Sequence, residues 1–478
     1  MQTTETIISK ESLKNLLDIE KLKYCFECGI CTASCPMAEL LGTSYNPRGL
    51  LEKIFLNPES VLNSDELWLC AWCYRCYRHC PQALKIPEIL LFLRRTVVEH
   101  GFLAPLENAL QKIVENVPLP LATTLVCYHP ERVGLDKEKI LEKIEQMRLE
   151  QFKKRKRAKA TKDSQRKIAV IGSGPAGLTV AYELAQKKCK VTIFEALPEA
   201  GGMLWKCIPA HRLSKQVLAK EIQFIKNLDV EIRTGITVGK DLSFEDLWKE
   251  GYKAIFIGVG THESQKLRVE GVDLEGVIHA LDFLWKVNCG EKMEMGKNIA
   301  VIGGGNVAID AARTALQNKA EEVTIFYRRS KEEMPANPWE VKEAENDGVK
   351  IEFLVAPKRF LGKNGKVSSI EFVRMQLGEP DESGRRKPIP IEGSEFTKEA
   401  DMVILAIGET PNLKFLPKEI ELNDDGTIWV DPITMETSLR GVFAGGDAAT
   451  GPATVIEAIN AGKRAAESIE KYLKSLGG

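Results

Sequence analysis

The first hundred residues carry the apolar spacing of helices. Between residues 36 and 69, apolar side chains recur at helical intervals, for example at Leu50, Leu51 and Ile54. Residues 81–100 repeat this pattern, and residues 1–20 form a polar stretch with the spacing of an amphipathic helix. We therefore predict a mostly helical domain over residues 1–105 and a helical connector over residues 106–165, ending in a basic helical stretch (153–162).

After residue 165 the pattern changes to short, continuous apolar runs that end in glycines. The run KIAVI (167–171) leads directly into GSGPAG (172–177), and NIAVI (298–302) leads into GGGNVA (303–308). Short apolar runs before a glycine-rich turn and a helix indicate buried parallel strands of α/β dinucleotide-binding folds. The pattern therefore predicts a multidomain chain, in which an all-α domain precedes tandem Rossmann-type α/β domains.

In the first copy, each glycine has its own expected role. Gly172 permits the tight turn, Gly174 lets the backbone approach a pyrophosphate, and Gly177 lets helix and strand pack closely. The next strand (191–194) ends in Glu195, where a carboxylate can accept hydrogen bonds from ribose hydroxyls.

The second copy differs where its second strand ends. Residues 323–327 lead into Arg328 and Arg329, whose guanidinium groups can bind a 2'-phosphate that a carboxylate would repel. This copy therefore predicts an NADP(H) site, and replacing both arginines should shift the preference toward NADH. The other residues expected to hold this cofactor are Gly303, Gly305, Asn306, Val307 and Ala308.

Eight of the 12 cysteines lie in two blocks with one spacing, C-x2-C-x2-C-x3-C-P. The blocks comprise Cys25, Cys28, Cys31 and Cys35 before Pro36, and Cys70, Cys73, Cys76 and Cys80 before Pro81. This is the bacterial ferredoxin spacing, in which the fourth cysteine ligates the other of two [4Fe-4S] clusters. By analogy, one cluster would be held by Cys25, Cys28, Cys31 and Cys80, and the other by Cys70, Cys73, Cys76 and Cys35. Each proline is expected to begin a helix. The alternative is a pair of zinc sites, although zinc cysteines usually come as two pairs separated by a longer span.

Composition excludes several classes of protein. With 66 basic and 67 acidic residues, the chain has a net charge of -1, and this balance gives no indication of nucleic acid or a strongly charged substrate. No apolar run approaches the roughly 18 residues that span a bilayer, and residues 1–20 lack a signal-peptide pattern. We therefore expect a cytoplasmic protein without a transmembrane segment. No dithiol pair exists outside the two blocks, which argues against a disulfide reductase.

Two known families resemble parts of the chain. Residues 22–101 resemble the two-cluster domain of the heterodisulfide reductase C subunit. From residue 166 onward, the segments YRRS (327–330), EMPA (333–336) and GGGNVAID (303–310) are similar to those of glutamate synthase small subunits. Their relatives include the N-terminal half of dihydropyrimidine dehydrogenase and the large subunit of NADH-dependent ferredoxin:NADP oxidoreductase.

The second resemblance implies an FAD-binding domain (166–285 and 411–478) and an NADP(H)-binding domain (286–410). It implies that FAD lies along the first glycine loop, with its ribityl chain at Asp447. The further FAD-binding residues that it implies are Gly202, Leu204, Arg212 and Thr454. The family's own cluster domain is reduced here to the segment around Cys127, which we expect to be a buried, apolar-like thiol. We therefore expect the helical domain of residues 1–105 to take the place of the family's own cluster domain.

The expected chemistry is hydride exchange between NADP(H) and FAD and single-electron exchange between FAD and two [4Fe-4S] clusters. The first hypothesis is a subunit of a larger complex, which could be electron-bifurcating and whose partners are other subunits or ferredoxin. Alternatives are a stand-alone NADPH:ferredoxin reductase, a glutamate synthase small subunit, or a relay subunit with silent nucleotide sites.

Overall fold

The structure is a computed structural model that describes residues 21, 25, 28–156, 163–381 and 384–476. The amphipathic helix predicted for residues 1–20 lies outside the described residues, as do residues 157–162 of the basic stretch. The chain divides into two compact units. The first comprises Met1–Gly202, Arg212–Gly260 and Leu413–Gly478, and the second comprises Met203–His211 and Thr261–Asn412. The proposed FAD/NADP(H) boundary at residue 285 thus falls inside the second unit.

The helices are numbered in the order in which they follow one another along the chain. They are α1 (Ile30–Ala33), α2 (Pro36–Leu41), α3 (Pro47–Leu56), α4 (Pro58–Leu62), α5 (Arg75–Arg78), α6 (Ile86–Glu99), α7 (Ala104–Asn116), α8 (Pro120–Thr123), α9 (Lys137–Lys156), α10 (Pro175–Gln186), α11 (Met203–Lys206), α12 (Lys215–Lys226), α13 (Phe244–Lys249), α14 (Ala280–Asn288), α15 (Asn306–Gln317), α16 (Pro338–Asn346), α17 (Asp447–Thr450) and α18 (Val455–Ser475). Among the described residues, no helix is long and apolar enough to cross a membrane.

The strands belong mainly to two parallel sheets and one antiparallel insertion. They are β1 (Asp163–Ile171), β2 (Cys189–Glu195), β3 (Glu231–Thr234), β4 (Ala254–Ile257), β5 (Glu263–Ser264), β6 (Val277–His279), β7 (Asn298–Ile302), β8 (Glu322–Tyr327), β9 (Lys350–Phe353), β10 (Val355–Lys363), β11 (Lys366–Pro380), β12 (Arg386–Pro390), β13 (Phe396–Glu399), β14 (Met402–Leu405), β15 (Glu409–Thr410) and β16 (Val442–Ala444).

The two parallel sheets place both glycine motifs at equivalent positions. The order is β16-β4-β1-β2-β3 in the first unit and β6-β14-β7-β8-β9 in the second. After β1 the chain adds β2 and β3 on one side, and it later adds β4 and β16 on the other side. After β7 it adds β8 and β9 on one side, and it later adds β14 on the other side. The glycine loops therefore lie at the carboxyl end of a central strand, at the switch point where such sheets bind ligands.

The first cysteine block is followed by a helix as expected, and the second is not. Pro36 occupies the first position of α2, where its missing N–H costs nothing. Pro81 lies in a turn instead, and the next helix, α6, begins at Ile86. The reason is Ala83, whose φ of +50° cannot continue a right-handed helix, and whose N–H donates to Cys80 O at 3.0 Å.

The antiparallel insertion, β10 to β13, was not predicted. Its first hairpin turns at Asn364-Gly365, where φ is +55° and +81°, and Lys363 pairs with Lys366. Asn-Gly with two positive φ angles is the preferred two-residue hairpin turn. This dipeptide is the feature by which the sequence could have revealed the hairpin.

Candidate cofactor sites

The three glycines of the first loop have different surroundings. A Cβ atom added at Gly177 would lie 2.1 Å from Gly172 O, and one at Gly172 (φ +96°) would lie 2.5 Å from Gly258 O. These two positions exclude a side chain because the backbone itself is too close. An added Cβ at Gly174 meets nothing nearer than 4.0 Å. The space over Gly174 is therefore open, which fits a pyrophosphate lying against the backbone at the start of α10.

Glu195 is buried at the edge of this loop. Its Oε2 accepts hydrogen bonds from the N–H of Ser173 at 2.8 Å and from Ser173 Oγ at 2.5 Å, and its Oε1 accepts from Leu197 N–H at 2.7 Å. Ser173 Oγ in turn accepts from Gly201 N–H at 2.9 Å. Ser173 thus holds the carboxylate at the glycine loop, a role that the glycine motif alone does not reveal.

Other residues implied for FAD lie in the first unit. Gly202 (φ +56°) packs against the glycine loop, since an added Cβ would lie 2.8 Å from Gly174 Cα. Asp447 begins α17, and its Oδ1 accepts from Ala453 N–H at 3.3 Å. Thr454 is the N-cap residue of α18, and its N–H and its hydroxyl both donate to Glu457 Oε2, at 2.9 and 2.6 Å. Its hydroxyl therefore has a structural partner.

The two remaining residues implied for FAD fall in different units. Arg212 belongs to the first unit, whereas Leu204 lies in α11 of the second and is fully buried. Cys207 is also buried in the second unit, and its Sγ lies 3.9 Å from Leu281 O.

The glycine loop after β7 has the same pattern of closed and open glycine positions as the loop after β1. An added Cβ at Gly303 would lie 2.0 Å from Ala406 O, and one at Gly304 would lie 2.4 Å from the Tyr327 ring. Gly305, at the start of α15, has nothing within 4 Å of such an atom. Asn306 Oδ1 accepts from Asn337 N–H at 2.9 Å. Again the open position is the glycine expected to face a pyrophosphate. Val307 is partly buried in the first turn of α15, and Ala308 is fully buried one residue further on.

The two arginines after β8 differ sharply. Arg328 is exposed and has no hydrogen bond or ion pair within the described part of the chain. Arg329 is 3% exposed, and its guanidinium donates to Arg386 O at 2.8 Å and to Asp381 Oδ2 at 2.5 Å. Only Arg328 of this pair is therefore open to a ligand.

The cysteine thiols fall into two groups by their electrostatic neighbours. We call Cys25, Cys28, Cys31 and Cys80 cluster site A. Burial raises the pKa of the Cys25 thiol to about 11, and the thiols that add to this effect are Cys31, Cys80 and Cys28. The members of site A therefore come together although Cys80 belongs to the other sequence block.

Cluster site B comprises Cys35, Cys70, Cys73 and Cys76. Burial raises the pKa of the Cys35 thiol to about 12, and among the thiols Cys70 adds most to this effect. Burial likewise raises the pKa of Cys73 and Cys76, with Cys35 and Cys70 among the contributing neighbours. A buried thiol becomes a thiolate readily only beside positive charge, which bound iron supplies. Both donor sets fit a [4Fe-4S] cluster in this respect.

No three His, Cys, Asp or Glu side chains converge on a single-ion position in the described ranges. The two loops nevertheless share one backbone geometry. Gly29 (φ +66°) and Tyr74 (φ +59°) each follow the second cysteine of a block and precede α1 and α5 respectively. In both blocks a residue in the left-handed region thus separates the second cysteine from the helix that carries the third.

Site B is held by buried polar contacts. Arg94 donates from Nη2 to Cys70 O at 2.7 Å and from Nε to Leu67 O at 2.9 Å, and it is 4% exposed. The N–H of Trp72 points to Cys70 Sγ at 3.4 Å. Arg94 therefore fixes the backbone of site B, whereas the Trp72 N–H is a contact of the kind that tunes the reduction potential of a cluster bound there.

Helix α5, which carries Cys76, and helix α2, which directly follows Cys35, contact α18 of the same unit. Arg75, between Cys73 and Cys76, forms an ion pair with Glu457 in the first turn of α18. Glu39 of α2 pairs with Arg464 Nε at 3.1 Å and accepts a hydrogen bond from Asn460. Glu457 also contributes to the raised pKa of Cys73. Site B is therefore the cluster site that contacts α18.

Cys127 has the environment expected of it. It lies in a short π-helical segment, Thr124–Tyr128, and is 6% exposed. Burial raises its pKa to about 12. It forms no disulfide bond, and the same holds for Cys189, Cys207 and Cys289.

Together these features define an oxidoreductase fold with two dinucleotide-binding sheets and an appended cysteine domain. The chain belongs to the pyridine nucleotide-disulphide oxidoreductase family, whose model matches residues 166–462. Residues 21–84 match a second model, that of a 4Fe-4S dicluster domain. The chain is thus an FAD- and NADP(H)-binding oxidoreductase with two [4Fe-4S] clusters, as the sequence predicted.

Three curated relatives extend this finding. The chain is 49% identical over 314 residues to the NADP(+)-dependent formate dehydrogenase subunit beta of Moorella thermoacetica, covering 65% of this chain and 44% of that protein. It is 38% identical over 437 residues to the NADPH-Fe(3+) oxidoreductase subunit beta of Geobacter sulfurreducens (strain DL-1 / KN400), covering 84% and 63%. It is 38% identical over 330 residues to the glutamate synthase [NADPH] small chain of Escherichia coli (strain K12), covering 66% and 70%. The chain therefore spans less than two thirds of the length of the first two relatives.

Among solved structures, FprA of Mycobacterium tuberculosis in complex with NADPH is similar in fold. The TM-score is 0.55 at 21% identity, and the match covers 65% of this chain and 85% of FprA.

Proposed function

We propose that the chain is the NADP(H)-linked flavin subunit of a multi-subunit electron-transfer complex. In this role NADP(H) binds at the Gly303–Ala308 loop and FAD at the Gly172–Gly177 loop, with Glu195 at the adenosine ribose. Sites A and B each hold a [4Fe-4S] cluster and lead electrons to or from a partner protein. Two of the relatives are subunits of NADP-linked oxidoreductases by name, which supports this assignment.

The observation that carries the proposal is the contact of site B with α18. FAD supplies hydride exchange with the nicotinamide and single-electron exchange with clusters. The chain's part is to fix the distance between these groups. Arg75 ties the site B loop to the first turn of α18, and the capping residues Thr454 and Glu457 fix that turn. Site B is therefore the cluster nearer to the flavin domain, and site A, with its exposed Cys28, is nearer to a partner.

Anaerobic titration with NADPH tests this function directly. The purified protein should contain one FAD, about eight irons and an equal amount of acid-labile sulfide. NADPH should bleach the flavin absorbance, and reduced-cluster signals should then appear in the electron paramagnetic resonance spectrum. NADH at the same concentration is the control and should react more slowly.

The outcomes separate the alternatives. Zinc in place of iron and sulfide would exclude the cluster assignment. Flavin bleaching without cluster reduction would exclude the proposed electron path. Purification of the native assembly should yield additional subunits, whereas a lone chain that reduces ferredoxin at full rate would favour the stand-alone reductase. Electron bifurcation further requires widely separated one-electron potentials of the flavin, which a redox titration measures.

A further inference from the structure

We propose that Arg94 is the internal counter-charge of the [4Fe-4S] cluster in site B, and that its charge raises the reduction potential of this cluster. The inference rests on the proposed assignment of a cluster to site B. It deepens that assignment, because it names the residue that sets how readily this cluster accepts an electron.

Arg94 is a buried cation whose partners in the described part of the chain are all neutral. It lies on α6 and is 4% exposed. Its guanidinium donates to the carbonyl oxygens of Leu67 and Cys70, at 2.9 and 2.7 Å, and its Cζ lies 5.7 Å from the centre of the Trp68 ring. No carboxylate among the described residues forms an ion pair with it. A buried charge without an opposite charge is costly, so a negative group is expected beside Arg94.

The hydrogen bond to Cys70 O places this positive charge at the wall of site B. Cys70 is 9% exposed, and its neighbour Leu69 is fully buried, so little water can screen the charge. A cubane core held by four thiolates is negative in both redox states, and reduction adds one further negative charge. Bound in site B, the cluster is the anion that the buried guanidinium lacks. Because charges interact strongly where water is excluded, Arg94 stabilises the reduced cluster more than the oxidised one.

Arg75, the other arginine beside site B, differs from Arg94 in both respects. It is paired with Glu457, and its side chain is 38% exposed. The two charges of this pair act on a cluster in opposite directions, and solvent screens both. Of the two arginines, Arg94 therefore carries the larger unbalanced positive charge.

Redox titration of the holoprotein, followed by electron paramagnetic resonance, tests the assignment. Arg94→Gln keeps a hydrogen-bond donor but removes the charge. It should make reduction of one cluster at least about tenfold less favourable, which is a fall of about 59 mV in a one-electron potential. The potential of the other cluster should not move. Arg94→Lys keeps the charge without the planar fork, and it should leave both potentials close to their wild-type values. In a Cys28→Ala, Cys31→Ala background, which removes the site A cluster, Arg94→Gln should lower the potential of the remaining cluster by the same amount.

Arg95→Gln is the matched control. Arg95 is the next residue on α6, it is exposed, and its Nε donates to Arg132 O at 3.0 Å. Water and salt screen its charge, so its removal should leave both potentials unchanged at about 0.5 M salt. The effect of Arg94→Gln should persist at that salt concentration, because the charge that it removes is buried.

The outcomes separate this assignment from the proposed function. Equal potentials in the wild type and Arg94→Gln, at unchanged iron and FAD content, would overturn the counter-charge and leave the clusters in place. A fall of the same size in Arg94→Lys would also overturn it, since the hydrogen bonds and not the charge would then act on the cluster. If Arg94→Gln loses about four irons, iron retention decides: full retention in Arg94→Lys supports the counter-charge, and equal loss contradicts it. A wild-type protein without iron and sulfide would exclude the proposed function itself, and the counter-charge with it.

Discussion

At the scale of single residues, close contacts decide where each nucleotide-binding loop needs a glycine. The glycines at 172, 177 and 303 are required by close backbone contacts, and those at 174 and 305 leave open space. Gly177 meets Gly172 O inside its own loop, whereas Gly172 and Gly303 meet Gly258 O and Ala406 O just after the neighbouring strands β4 and β14. A glycine motif still records all three requirements, because the strand–turn–helix unit of this fold packs beside such a strand. The partners of Arg329 cannot be predicted this way, because Asp381 and Arg386 lie more than 50 positions further along the chain.

Arg75 has the same long-range character, since its partner Glu457 lies 382 positions away. We predict that Arg75→Ala lowers the reduction potential of the site B cluster. Reduction adds negative charge to the cluster, and removing a nearby positive charge makes that step less favourable. The shift should be on the order of tens of millivolts, because the pair is partly exposed and screened by solvent.

Redox titration monitored by electron paramagnetic resonance measures this shift. Glu457→Gln should move the same potential upward, and Arg75→Lys, which keeps the charge, should leave it close to the wild-type value. Equal potentials in all four proteins, at unchanged iron and FAD content, would show that the ion pair does not act on the cluster.

At the scale of elements, the sequence predicted strands and glycine-rich turns but not how the connector is attached. Glu221, on α12, is fully buried and pairs with Arg148 of α9. Its Oε1 also accepts hydrogen bonds from the N–H groups of Leu121 and Ala122, at 2.5 and 3.0 Å. The apolar pattern of α9 does not distinguish Arg148 from the many solvent-facing basic residues around it, so its burial could not be foreseen.

We predict that Arg148→Met lowers the free energy of unfolding by about 3 to 5 kcal/mol, since it leaves a buried carboxylate without its partner. Urea unfolding followed by tryptophan fluorescence measures this loss. The matched control is Lys220→Ala, which removes the exposed pair between Lys220 and Glu145 at 2.6 Å. It should cost no more than about 1 kcal/mol. Similar losses of unfolding free energy in the two variants would mean that the buried charge of Glu221 is stabilised by groups other than Arg148.

The Arg148 variant should also respond to pH. Burial raises the pKa of Glu221 in the folded protein, and Arg148 opposes this effect. The folded state therefore holds this proton more tightly than the unfolded state, and stability falls as pH rises through the folded pKa. Without Arg148 that pKa rises further. The deficit of Arg148→Met relative to the wild type should be smaller at about pH 5.5 than at about pH 8, and equal deficits would contradict this account.

At the scale of the whole molecule, the two cluster sites differ in the parts of the protein that surround them. Both have the same spacing, so the sequence could not rank the two clusters along an electron path. The structure separates them, because the site B loop contacts α18 through Arg75 while Cys28 of site A is exposed. Under the proposed function, site A exchanges electrons with a partner and site B exchanges them with the flavin.

This division predicts that the two clusters can be separated by mutation. Cys28→Ala combined with Cys31→Ala should remove the site A cluster and leave about four irons, with FAD content unchanged. NADPH should still bleach the flavin, reduce the remaining cluster and drive ferricyanide reduction, since a small acceptor can take electrons at the flavin. Reduction of a bacterial two-cluster ferredoxin should be lost. Cys289→Ala, which removes an exposed lone thiol, should leave every activity intact. Ferredoxin reduction at the wild-type rate by the four-iron variant would mean that electrons leave the chain without passing through site A.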